Sequence, residues 1–104
     1  MSITKKQLNH RNRLARQLLI AELRLSVQYT QQDSEYRRRV MDAADRLEHY
    51  ALNCSAAHAQ FLQLFRSGYD MIAICNTIPI QTSTYYAWRR SLLEVFGRYI
   101  GIEV

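Results

Sequence analysis

One proline, three glycines and two cysteines are all that these 104 residues hold of the types that break, bend or staple a chain. With so few breakers most of the chain is free to be helical, and turn-rich β architectures and flexible interdomain linkers are excluded. Cys54 and Cys75 are the only cysteines, too few for a disulfide framework. His49, Cys54 and His58 are too few for a tetrahedral metal site, and a satisfied or exposed histidine is the better reading of each ring. No apolar run has the length of a bilayer span or the character of a signal peptide, so a soluble cytoplasmic chain with reduced thiols and no membrane partner is expected. A glycine-rich phosphate loop and a Gly-x-Ser-x-Gly elbow are also missing, and the carboxylates lie scattered beside arginines. These absences predict neither an enzyme nor a cofactor or small-molecule substrate.

Positive charge is what the chain has in excess. Fourteen Lys and Arg stand against nine Asp and Glu, for a net +5 and a pI near 9.6, a balance that favours a polyanionic partner. The excess sits at the two ends. Lys5, Lys6, Arg11, Arg13, Arg16 and Arg24 are met by Glu22 alone, whereas Arg37, Arg38 and Arg39 have Asp42, Asp45 and Glu48 within helical reach of basic neighbours. The triplet therefore reads as a salt-bridged outer face. The N-terminal cluster fits either a solvated helix face or a surface that contacts phosphates.

Periodicity predicts an all-α chain of about five helices in one domain, 1–104. Residues 1–54 form a long helical hairpin, and 55–104 a tri-helical helix-turn-helix unit. In the first helix, about 4–30, Leu14, Leu18, Ala21 and Leu25 follow a four-three-four spacing, widened by Leu19, Leu23 and Val27. Asp33 or Ser34 caps the next helix, whose seam is Val40, Ala43, Leu47, Tyr50 and Cys54. The two long helices pack on each other or on a second copy, so a homodimer is one expectation. Ser55 caps a third helix ending at Gly68, Asp70 caps a short fourth, and a fifth runs from Thr82 to about Tyr99 with Gly101 closing it.

The stretch Met71–Arg90, MIAICNTIPIQTSTYYAWRR, has the outline of a helix-turn-helix. Ile74, Ile78, Ile80, Tyr85 and Trp88 are the inward apolar sites and Cys75 the small residue at the helix crossing. An alternative register built on Ile72 and Ala73 places Asn76 inward and is disfavoured. Pro79 ends the first helix, because it lacks an N–H and pushes Ile78 out of helical conformation. With Tyr85 and Trp88 in the core, the outward residues are Gln81, Thr82, Ser83, Tyr86, Ala87 and Arg90. Glutamine pairs with adenine, arginine with guanine or phosphate, and the hydroxyls with either. Arg89 and Arg90 supply phosphate contacts, and Lys5, Lys6, Arg11, Arg13 and Arg66 are further candidates. An ordinary helical hairpin with Thr82 as a cap is the structural alternative.

The segment FLQLFRSGYDMIAICNTIPIQTSTYYAWRRSLLEVFGRYIGI, behind a basic helical N-terminal half, resembles phage late-gene transcription regulators of the ArpU/RinA type, whose C-terminal part is similar to sigma-factor region 4. Ser83-Thr84-Tyr85-Tyr86-Ala87-Trp88-Arg89-Arg90 carries most of the likeness. Comparable recognition helices occur in insertion-sequence transposases, and Pro79 departs from the usual permissive turn residue. The resemblance implies a DNA-binding regulator of a phage or prophage operon, with double-stranded DNA as partner, RNA polymerase as a further partner, and Gln81, Thr82, Ser83, Tyr86 and Arg90 on the recognition surface. A protein-binding module, an antirepressor or host-factor inhibitor without a DNA target, is the competing expectation.

Overall fold

The structure is a computed structural model that describes residues 4–102. Five helices follow one another, and no strand occurs among the described residues. Helix α1 (Lys5–Leu25) runs into a 3-10 turn, Ser26–Gln28; α2 is Glu35–Cys54, α3 Ala56–Arg66, α4 Met71–Thr77 and α5 Thr82–Ile100. None of the described helices is long and apolar enough to cross a membrane.

Each helix starts where a short polar side chain can take up an orphan N–H, except the last. Thr4 and Gln7 form a reciprocal capping box at the head of α1, with bonds of 3.1 and 3.0 Å. Of the two candidate caps for α2 it is Ser34 that accepts the N–H of Arg37; Asp33 instead closes the preceding turn on Thr30. Ser55 and Asp70 cap α3 and α4 as expected, at 3.0 and 2.9 Å. After α3 the chain reverses through Gly68 at φ +94°, and α5 ends on Gly101 at φ +81°, conformations that a side chain resists.

One apolar cluster joins all five helices. Leu19 and Leu23 of α1, Val40 and Leu47 of α2, Phe61 and Phe65 of α3, Ile74 of α4 and Phe96 of α5 all belong to it. The two N-terminal helices therefore share the core of the C-terminal three, and α2 packs most heavily on α3 and α5. Two stripes differ from expectation. On α1 the buried line is Leu19, Leu23 and Ser26, while Leu14, Leu18 and Leu25 are exposed. On α2 the seam leaves Tyr50 and Cys54 exposed and buries Ala44 and Ala51 instead. A helix of 3.6 residues per turn drifts against a strict seven-residue repeat, so the neighbours decide which of two adjacent stripes is covered.

Charged side chains knit the joints. Arg24 donates to the Phe65 carbonyl at 3.2 Å and lies over the Phe65 ring, tying α1 to the C-terminal end of α3, where orphan carbonyls favour a cation. Arg46 stacks on Tyr99, linking α2 to α5 at 4.2 Å. Arg37 pairs with Asp33 along the chain, but Asp45 and Glu48 turn across to Arg66 of α3. The expected pairing along α2 is therefore replaced, for those two acids, by pairing between helices.

Candidate nucleic-acid interface

Helices α4 and α5 are joined by four residues, Ile78–Gln81, and the turn is tight. Ile78 is extended at φ −111°, ψ 132°, as the residue before a proline should be. The Ile80 N–H returns to the Ile78 carbonyl at 2.7 Å around Pro79. Proline's fixed φ suits the centre of such a three-residue turn, so Pro79 shapes the junction. Ile74, Ile78 and Tyr85 are buried, and Cys75, Ile80 and Trp88 are partly buried against the core, the register the spacing predicts; Ile72 is exposed.

Aromatic packing sets the orientation of α5. Phe61 of α3 meets Tyr85 and Trp88 edge-on at 5.4 and 5.8 Å, and the His58 ring stacks on Trp88 at 3.8 Å. Desolvation there lowers the His58 pKa and raises that of Tyr85. Ser55 Oγ and His58 Nδ1 share a hydrogen bond of 2.6 Å, and the same oxygen accepts the His58 backbone N–H. The cap of α3, the ring stack and the inward face of α5 are thus one connected unit.

With Tyr85 held inward, Gln81, Thr82, Ser83, Tyr86, Ala87 and Arg90 all lie exposed at the N-terminal end of α5. Gln81 is the N-cap residue, yet its side chain makes no capping bond and stays available. Arg89 is half-buried, with its guanidinium over the Tyr86 ring at 5.0 Å, so it shapes the position of Tyr86 more than it offers a charge to solvent.

Helix α1 supplies the flank of this surface. Leu19 lies beside Gly97, and Asn9, Asn12, Arg13 and Arg16 line a cleft of about 400 Å³ with Arg90 and Glu94. Lower numbers on α1 therefore meet lower numbers on α5, and the two helices run in the same direction. Their N-terminal ends, with the exposed Lys5 and Lys6, lie at one end of the molecule. Arg13, a candidate phosphate contact by sequence, lies beside the N-terminal half of α5. Arg16, Asn9 and Asn12 lie there too, and their spacing on one helical face was the signal for them. Arg11 is exposed but belongs to another side of α1.

Arg66 is a correction. It is buried at the joint of α1, α2 and α3, where Nε donates to Ser26 Oγ at 2.9 Å and Nη1 to Glu48 at 2.8 Å and Asp45 at 3.5 Å. Its charge is committed inside the fold and reaches no phosphate. Compared with protein-family models, curated proteins and solved structures, the chain matches none of them.

Proposed function

We propose that this chain is a sequence-specific double-stranded DNA-binding regulator of transcription, of the phage or prophage kind that its C-terminal half resembles, acting in the cytoplasm. The observation that carries the reading is the cleft in which Arg13 and Arg16 of α1 meet Arg90 of α5 beside an exposed, hydroxyl-rich helix start. The N-terminal turns of α5 enter the major groove, where Gln81, Ser83 and Arg90 reach base edges and Thr82 and Tyr86 reach edges or backbone. Uncommitted N–H groups at the head of α5 add a preference for phosphate. Lys5, Lys6 and Arg13 contact flanking phosphates and fix the docking angle. Glu94 bounds the surface, because a carboxylate there repels backbone beyond Arg90.

Selection of bound fragments from the source genome, followed by titration at several salt concentrations, tests the reading. The expected result is enrichment of one promoter-proximal site and an affinity that falls steeply with salt. Arg90→Ala and Gln81→Ala should each weaken the specific complex by about 1–3 kcal/mol, and Arg13→Ala should reduce the salt slope by about 1 with little change in sequence preference. A folded protein that binds no duplex at low salt refutes the proposal and favours the protein-binding alternative.

A further inference from the structure

The leucines that sequence spacing places in the core of α1 face solvent. Leu14, Leu18 and Leu25 are 51, 45 and 43% exposed, with Ala21, also exposed, completing a four-three-four line. At 100° per residue this line lies about 145° around the helix from the Asn9, Arg13 and Arg16 face that meets α5. None of the described side chains between Lys5 and Leu18 is buried, although an isolated helix of a few turns is marginal in water. Leu14, Leu18, Ala21 and Leu25 have the spacing of the inward positions of a two-stranded coiled coil, with Gln17 and His10 along one border.

We infer that α1 pairs in parallel with α1 of a second copy of this chain through this stripe, presenting two recognition helices to one duplex. The inference rests on the DNA-binding reading for its purpose, and the geometry selects both occupant and direction. Because α1 and α5 run the same way, a parallel pair brings both α5 N-terminal ends and both lysine pairs to one end, where a single duplex can meet them. An antiparallel pair sends them to opposite ends. In the parallel pair the order across the dimer is α5, α1, the second α1, the second α5. Three packing distances of about 8–10 Å separate the outer helices by about 24–30 Å, the scale of two half-sites one turn apart, about 34 Å. Arg11 extends the same heptad toward the duplex, so its charge opposes pairing in free protein and is neutralised on DNA. A stripe of these few side chains is short of the roughly 20–30 residues a side of a stable interface, so pairing is weak in solution and tightened by the duplex.

Sedimentation of the full chain, free at about 100 μM and on the selected duplex, decides this. The expected result is a free monomer–dimer equilibrium that shifts toward dimer with added salt, and two chains per duplex. Leu18→Glu should abolish both while leaving the thermal midpoint unchanged, since Leu18 is exposed in the monomer. Leu18→Cys, in a chain that also carries Cys54→Ser and Cys75→Ser, should oxidise to a covalent dimer that still binds the duplex. A wild type that is monomeric both free and on DNA overturns the inference, as does a dimer that Leu18→Glu leaves intact or a stripe that binds a different protein. If no duplex is bound but the free dimer forms and Leu18→Glu removes it, the DNA reading fails and the pairing stands.

Discussion

Replacing Arg66 by methionine keeps most of the side-chain volume and removes the charge at the joint of three helices. Two bonds of good length are lost, to Ser26 at 2.9 Å and Glu48 at 2.8 Å, with a longer one to Asp45. Hydrogen bonds that involve a charge contribute about 1.5–3 kcal/mol each. The carboxylate side chains are 58% and 39% exposed and rehydrate when the guanidinium leaves, so the ionic part lies at the low end of that range. Ser26 is buried and cannot rehydrate, although its hydroxyl still donates to the Leu23 carbonyl. Together these give a loss of about 2–3 kcal/mol, or about 10–20 °C in midpoint for a domain of this size. Circular dichroism in urea and on heating measures it, and a cycle with Glu48→Gln isolates the pair. At a temperature where the variant is folded, its DNA affinity should equal that of the wild type. A variant of wild-type stability that has lost affinity would show that Arg66 faces the duplex, and the assignment of a buried joint would be wrong.

Two further outcomes follow from the same packing. Burial lowers the His58 pKa below its ordinary 6.5; the unfolded chain then binds the extra proton first, so stability is full above about pH 6.5 and declines as pH falls toward the folded value. Urea titrations between about pH 7 and pH 5 should show that decline, His58→Phe should flatten it, and an NMR titration placing His58 at or above 6.5 would remove its cause. Gly97→Ala places a Cβ against the Ile102 backbone carbonyl and at 3.3 Å from the Leu19 side chain. Despite alanine's better helix propensity it should cost about 1–3 kcal/mol, read from the urea midpoint, and a neutral or stabilising result would mean that the chain end at Ile102 does not close on α5 at that point.

Much of the candidate site was readable without coordinates. Pro79, the inward isoleucines and the Tyr85–Trp88 spacing depend on local stereochemistry and helical period, which are properties of a short segment. The cap residues Ser55 and Asp70 and the stop at Gly68 were legible for the same reason. Arg66 was not, because its three partners lie eighteen to forty positions away and nothing local distinguishes a buried arginine from an exposed one. Gly97 is equally silent in the sequence: it lies inside a helix, where glycine is usually a weak point, and only the fold shows α1 and the chain end approaching α5 there.

The amino-acid sequence by itself determined the all-helical class, the order of the helices, the ends marked by a cap or a glycine and the outward residues of α5, since each follows from propensity, capping and period within a few turns; the stop of α1 at Leu25, short of the expected 30, was not among them. Only tertiary structure decided which of two neighbouring leucine stripes on α1 is buried, and which arginines remain in solvent. Both stripes satisfy the same periodicity, and fourteen basic side chains look alike in a linear chain. The choice depends on the partner helix presented at each position, which is a relation between residues far apart in the sequence.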